Sequence, residues 1–413
     1  MKVLQLYHKM PFPMHDGGAC SIYSSSLSIL SQGINLKILA MDTMKAPGDI
    51  DLMPVNFLKK TRLESVTVDN RVNLFHAFWT IFSHVSYFAK RFYSTSFKHR
   101  LVEILKQEDF DIIQLEHLYL CHYLVDIRRL SKAKVILRAQ NVEYRVWKEY
   151  SRKLKHRLLQ KYLGLEVLKL ERFERHMASQ VDGIMALTKQ DEDFFMEANS
   201  KAYASTIPMG IDFSCLAKTD NTYQYMDFPI VYHLGSMDWR PNSQGLKWFI
   251  EKVFPLVLVT MPNIRICIAG RNMPGWFIKR NSRNLIVESV VEDATTYQKD
   301  KAIMIVPLLS GSGIRVKILQ GMALGKTIIS TSVGAQGISA INNESIIIAD
   351  SPEEFAKQIC RCAVSESLCR KIGENARKAA MLNYEVDSIG IQMNQFYQIV
   401  LSEMKMTLQE KVA

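Results

Sequence analysis

Residues 306–332 read VPLLSGSGIRVKILQGMALGKTIISTS: an apolar run, a Ser/Gly hinge, a helix-period segment, a glycine and a second apolar run. The two runs, Ala302–Leu309 and Thr327–Thr331, are short and rich in β-branched residues, as buried parallel strands are. Between them Ile314, Ile318, Leu319, Met322 and Ala323 recur at helical spacing, and Gly325 is a stop signal. The unit is β-α-β. Its turn, Ser310-Gly311-Ser312-Gly313, leaves backbone N–H groups at a helix N-terminus, and Arg315 and Lys317 follow at once. Cations are disfavoured at the positive end of a helix dipole. Two of them there point to an anion between, most simply a phosphate. A tight turn carrying two solvated basic residues is the other reading.

Outward from this stretch the same theme repeats. At 413 residues the chain exceeds one ordinary core, so two domains are expected. A hydrophobic content of 48% with 23% charged residues is that of a soluble globular protein. Seven scattered cysteines without a CxxC pair argue against a disulfide framework or a zinc site and for a reducing compartment. The opening MKVLQLY enters a strand directly and is not a signal-peptide pattern. Leu74–Ala89 is interrupted by His76, Thr80, Ser83 and His84 on one stripe; it reads as an amphipathic helix too short and polar to span a bilayer.

The net charge of +11 suits an anionic partner. Arg145–Arg175 concentrates it, with ten Lys/Arg against four Glu. This is either a solvated helix face or a patch for a membrane surface or another polyanion, the aromatic neighbour Tyr87–Arg100 tilting the second reading toward membrane. No nucleic-acid module is recognisable, so no nucleic-acid partner is expected.

In the first half, strands are expected at Val3–Tyr7, Leu36–Asp42, Asp111–His117, Lys134–Asn141, Val181–Thr188 and Lys201–Pro208, with helices between them. Residues Lys45–Leu74 look irregular. Gly17-Gly18 stands where a dinucleotide turn would, but the third fingerprint glycine is missing. Polar residues gather past strand ends: Glu116-His117, Gln140-Asn141 and Glu143. In an open α/β sheet that edge binds ligands, although a polar residue ending a strand is also an ordinary helix cap. A linker is expected at 207–228. The second half restarts with strands at Ile230–Leu234, Ile264–Ala269, Leu285–Glu288 and Ser345–Asp350 around the opening unit. Long helices close the chain, the last with Ile389, Met393, Phe396, Ile399 and Val400 on one face. Alternating strands and helices give α/β architecture with two doubly wound parallel sheets.

These residues together resemble the family 4 retaining glycosyltransferases of the GT-B fold (group 1 glycosyltransferases). The similarity is carried by GSMDWRPNSQGLKWFIEKVFP, by IAGRNMP and by VEDATTYQKDKAIMIVPLLSGSGIRVKILQGMALGKTIISTSVGAQGI, and more loosely by PFPMHDGGA, LEH and LRAQNVEYRVW. The resemblance implies two Rossmann-like domains facing a cleft. An acceptor-binding domain would cover 1–206 and a nucleotide-sugar-binding domain 229–385, with 386–413 a crossover helix packing back on the first. It implies transfer of a hexose-type sugar from a nucleotide-diphospho-sugar to a saccharide or lipid-linked acceptor, with retention. The setting would be cell-envelope polysaccharide synthesis, on the inner face of the cytoplasmic membrane or free in the cytoplasm. No cofactor and no metal are implied. The DxD-like Asp49–Asp51 and Asp191–Asp193 belong to another fold's context.

By the same resemblance Arg315, Lys317 and Gln320 would be catalytic. Gly235, Ser236, Arg240, Arg271, Asp293, Tyr297, Ser310, Gly311, Ser312 and Gly313 would bind the donor. Gly17, Gly18, Glu116, His117, Gln140, Asn141 and Glu143 would lie on the acceptor side. Cations and helix N–H groups would stabilise the charge gathering on the departing diphosphate. Ser312 and Gln320 stand where many members carry glutamates. Gln320 would accept ribose hydrogen bonds without charge assistance, and Gln140 replaces a common histidine. A nucleotide-sugar epimerase or hydrolase on the same fold, and a non-catalytic glycan- or partner-binding relative, are the alternatives.

Overall fold

Segments of four to nine residues, apolar in the sheet's centre and more polar in the edge strands β3 and β7, build the first sheet: β1 (Lys2–Tyr7), β2 (Asn35–Thr43), β3 (Glu64–Val68), β4 (Ile112–Leu115), β5 (Lys134–Ala139), β6 (Gly183–Ala186) and β7 (Tyr203–Thr206). All its pairings are parallel, in the order β3-β2-β1-β4-β5-β6-β7. The second sheet holds β8 (Ile230–Leu234), β9 (Arg265–Ala269), β10 (Leu285–Glu288), β11 (Ile303–Val306), β12 (Thr327–Ser330) and β13 (Ile347–Ile348). Its order is β10-β9-β8-β11-β12-β13, again parallel. Strand order therefore reverses direction beside β1 and β4 in one sheet and beside β8 and β11 in the other. In open α/β sheets ligands bind at such switch points, outside the strands' carboxyl ends. The structure is a computed structural model. It describes all residues except 15, 84, 155, 199–201, 214–227, 292–293, 312 and 411–413, and of 74 and 403–410 the backbone alone.

Contacts divide the chain into one unit of Met1–Gly210 with Val386–Ala413 and another of Ile211–Glu385. The terminal helix Val386–Glu410 belongs to the first because its apolar face has no other cover. Ile389, Met393, Phe396, Tyr397 and Val400 are buried among Val3, Ile22, Ile29, Ile136 and Met185. Tyr397 takes the place expected for Ile399, which is 37% exposed. Of the segment expected as a linker, Ile207 lies in the first unit's core and 214–227 fall outside the described residues.

Two expectations fail. Lys45–Leu74 is not irregular; it holds the helix Val55–Thr61 and β3. β3 is an edge strand whose side chains are mostly half-buried or exposed, so it needs no strong apolar pattern. Leu74–Ala89 is not one helix but two short ones, Leu74–Thr80 and Tyr87–Lys90. Tertiary hydrogen bonds end the first. Lys169 Nζ donates to the Thr80 carbonyl at 2.5 Å and to that of Ile81 at 3.2 Å. Buried Glu166 accepts from Tyr87 N–H at 2.6 Å and so fixes the start of the second.

Candidate functional site

In the second unit, the loops after β8 and β11 meet at the switch point. The helix Val316–Ala323 begins there with Arg315 as its N-cap residue, and Gly325, at φ 65°, ends it. Lys317 is drawn inward by two neutral acceptors. Its Nζ donates to Asn242 Oδ1 at 2.8 Å. The Asn242 amide is oriented by its Nδ2, which donates to the Ser236 carbonyl at 2.8 Å. His233, buried in β8, lies 2.9 Å through Nδ1 from the Ile305 carbonyl. A carbonyl only accepts, so Nδ1 carries the proton and the Nε2 lone pair faces Lys317 Nζ at 3.4 Å. Burial, and secondarily Lys317, holds the His233 imidazole well below its ordinary pKa.

Glycines make this approach possible. A Cβ at Gly235 would lie 2.5 Å from Lys317 Nζ, and one at Gly270 would lie 1.9 Å from the Gly235 carbonyl oxygen. Arg315 is buried. Its guanidinium lies 5.4 Å over the Trp239 ring, with NH1 donating to the Gly313 carbonyl of its own turn and NH2 to that of Val333 at 3.5 Å. Two cations therefore sit at one helix N-terminus, and among the described residues no carboxylate forms an ion pair with Lys317. Desolvation first, then Arg315, lowers the Lys317 pKa to about 7. A cation pressed toward neutrality beside a helix N-terminus is matched by an anion with several acceptor oxygens.

Gly235, Ser236, Ser310, Gly311 and Gly313 surround this point, with Gly311 and Gly313 at φ 125° and 76°. Gln320 lies one turn along the same helix, half-buried, with no hydrogen bond to its carboxamide among the described residues. Arg240 is the exposed first residue of the helix Arg240–Trp248, and Arg271 is half-buried with its carbonyl accepting from Met237 N–H at 2.9 Å. Tyr297 is not brought to this point. Its ring packs on Tyr232 and under Lys301 Nζ, 3.9 Å from the ring centre, where the chain enters β11. Asp293 and Ser312 lie outside the described residues. Sequence reasoning missed His233 and Asn242. Their signals were a polar residue inside an apolar strand and an asparagine in the first turn of a helix.

The first unit separates its polar residues into two sets. Glu116 is fully buried at the end of β4 and accepts from Gln5 Nε2, from Gln114 Nε2 at 2.5 Å, from Ser25 Oγ at 2.8 Å and from Gln140 Nε2 at 3.3 Å. Arg138 Nε lies 3.8 Å away. Glu116 and Gln140 are thus parts of an internal network rather than ligand-facing groups. Burial raises the Glu116 pKa and lowers that of Arg138.

The second set follows the carboxyl ends of β1, β4 and β5, beside the switch point. His117 Nε2 lies 3.3 Å from Glu143 Oε1, and Glu143 Oε2 accepts from Tyr119 O–H at 2.8 Å. Burial would raise the Glu143 pKa, but His117 and the hydrogen bonds bring it below the ordinary value. His8, immediately after β1, packs on His117 at 4.2 Å between ring centres, and its Nδ1 has no described partner. His8 was not anticipated, although it too follows a strand end. Gly17 and Gly18 open the helix Gly17–Ser31, where the Asp16 N-cap accepts from Ala19 N–H at 2.9 Å and from Lys9 Nζ at 2.6 Å. Asn141 is half-exposed. The Asp191–Asp193 segment is a helix start: Asp191 accepts from Thr188 O–H at 2.8 Å and Glu192 from Thr206 O–H at 2.5 Å.

Comparison with known proteins assigns this architecture. Residues 228–364 match the family model described as "Glycosyl transferases group 1". Sucrose-phosphate synthase from Thermosynechococcus elongatus shares the fold across 98% of this chain and 100% of its own, with a TM-score of 0.68 and 15% identity. HepE of Anabaena, solved in complex with UDP, superposes over 96% of this chain and 99% of its own, with a TM-score of 0.64 and 13% identity. The fold is GT-B, and residues 228–364 form a group 1 glycosyltransferase domain. A relative of similar length, an "Uncharacterized 44.6 kDa protein in cps region" of Klebsiella pneumoniae, is 23% identical over 397 residues, spanning 93% of this chain and 96% of its own.

Proposed function

We propose that this protein is a retaining, metal-independent glycosyltransferase that moves a hexose-type sugar from a nucleotide-diphospho-sugar to a saccharide or lipid-linked acceptor in cell-envelope polysaccharide synthesis. One observation carries the reading: Lys317 and Arg315 converge at a helix N-terminus in the switch-point crevice of a group 1 glycosyltransferase domain. The donor diphosphate binds there, and the same cations take up the charge that develops as the glycosidic bond breaks. Neighbours solved with UDP and UDP-glucose support a nucleotide-sugar donor, and the cps-region relative supports polysaccharide synthesis. In the first unit, His117, Glu143 and His8 form the acceptor side, because they remain at the strand ends while Glu116 and Gln140 turn inward.

We place the enzyme in the cytoplasm, at the inner face of the membrane. No helix among the described residues is long and apolar enough to cross a bilayer. Exposed Arg152, Arg157, Lys161 and Arg172, from the basic stretch Arg145–Arg175, support contact with anionic lipid. The test is mass-detected transfer from a panel of nucleotide sugars to saccharide and lipid-linked acceptors, with and without chelator, and the product anomer read by NMR. Chelator-insensitive transfer with a retained anomer is expected. Binding without transfer to any acceptor, an inverted anomer or loss of turnover with chelator would overturn the corresponding part. Product formed from the nucleotide sugar alone would instead indicate an epimerase or hydrolase.

A further inference from the structure

The segment 72–85, VNLFHAFWTIFSHV, contains no acidic residue and no lysine or arginine. It holds four large aromatic side chains, and the fold leaves them outside. Phe75, Phe78, Trp79 and Phe82 are 67%, 55%, 56% and 73% exposed. Their rings pack edge to face on one another, with Phe75–Trp79 and Phe78–Phe82 centres 6.0 and 5.9 Å apart. They form one raft rather than scattered surface residues. A contiguous exposed apolar patch of this kind marks an interaction surface.

The backbone behind the raft is tied to the protein. Tyr162 O–H donates to the Ala77 carbonyl at 3.1 Å, and past the helix end Lys169 Nζ donates to the carbonyls of Thr80 and Ile81, the former also accepting from Ser83 N–H at 3.0 Å. An element that meets hydrocarbon needs this arrangement: apolar side chains outward and main-chain polar groups satisfied from within. The supporting helix, Arg157–Ala178, extends the surface. Its positions 158, 161, 165, 168 and 172 alternate by three and four residues and so lie on one stripe. Leu158, Leu165 and Leu168 on that stripe are 73%, 52% and 54% exposed, and Lys161 and Arg172 are exposed between and beyond them. Aromatic and leucine side chains set among cations fit the boundary between acyl chains and anionic headgroups.

We propose that the aromatic segment 72–85, with the outer stripe of the helix Arg157–Ala178, inserts into the surface of an anionic phospholipid bilayer. This rests on the membrane-face location proposed above but not on transfer chemistry, so its test uses no turnover. The full chain is sedimented with phosphatidylcholine vesicles and with vesicles containing phosphatidylglycerol, at low and moderate salt. The wild type binds the anionic vesicles, more weakly as salt rises. The triple variant F78S/W79S/F82S, whose altered side chains are exposed and whose melting temperature stays unchanged, loses at least about tenfold in partitioning. The variant K161E/R172E loses the preference for anionic lipid. Brominated acyl chains quench Trp79 fluorescence, a signal absent from W79F. Unchanged binding by the triple variant, or no wild-type binding to anionic vesicles, overturns the proposal. A wild type that is dimeric without lipid and monomeric as the triple variant overturns it too, by making the raft a face between copies.

Discussion

Lys317 should make nucleotide binding depend on pH in a calculable way. Its ammonium is desolvated and repelled by Arg315, and with a pKa of about 7 it is about half protonated in the free protein at neutral pH. A diphosphate beside it would restore the charge and bring the pKa toward the ordinary lysine value, roughly 10. Binding then takes up a proton wherever the free form is neutral. From these two values, affinity falls about 50-fold between pH 7 and pH 9 and changes only about twofold from pH 6 to pH 7. Near pH 8 each binding event takes up about 0.9 proton.

Isothermal titration with UDP as first probe, in buffers of different ionisation enthalpy, measures affinity and proton uptake together. Lys317→Arg is the control, because a guanidinium stays charged throughout; its affinity should be flat over the same range. Lys317→Met should bind weakly at every pH and take up no proton. A wild-type affinity constant from pH 7 to pH 9, or an unchanged pH slope in Lys317→Met, would exclude Lys317 as the group that titrates on binding.

Other perturbations separate the donor site from the scaffold. Because the folded-state pKa of Lys317 is depressed, its penalty on folding is fully present below about pH 7 and fades as pH rises toward the unfolded value. Lys317→Met should therefore raise the melting temperature of the ligand-free protein near pH 6, by about 2–4 °C per kcal/mol relieved, read by scanning calorimetry. Gly235→Ala places a Cβ 2.5 Å from Lys317 Nζ and 2.7 Å from Asn242 Nδ2, so nucleotide affinity should fall about tenfold or more while circular dichroism is unchanged. Gln320→Glu should strengthen nucleoside-diphosphate binding about fivefold in titration, since a charge-assisted hydrogen bond is worth about 1 kcal/mol more than a neutral one. Glu116→Ala strands Arg138 in the core and should cost about 3–5 kcal/mol in denaturant unfolding, whereas His117→Ala should cost far less.

The fold was legible where strands are buried on both faces. β1, β4, β11 and β12 are near-continuous apolar runs between turn residues, and their alternation with helices is readable along the chain, while their order in the sheets is not. β3 was hidden because an edge strand has one partner and half-exposed side chains. The break after Thr80 was hidden because it depends on Lys169 and Glu166, more than 75 residues away along the chain. The donor side was legible as a turn with two cations. The acceptors that hold Lys317, His233 and Asn242, come from other elements and could not be paired by spacing. Glu116 and Glu143 look alike in the sequence as carboxylates near strand ends. Only packing shows that one is sealed among glutamines and a serine while the other meets His117.

The claim that this crevice holds the donor is tested most directly by a crystal structure of the protein with UDP or another nucleoside diphosphate that it binds. Diphosphate oxygens are expected at the N-terminus of the helix Val316–Ala323, within hydrogen-bond distance of Lys317 Nζ, with the turn at Ser310–Gly313 alongside. A diphosphate bound elsewhere, with Lys317 still turned to Asn242 and His233 alone, would contradict it.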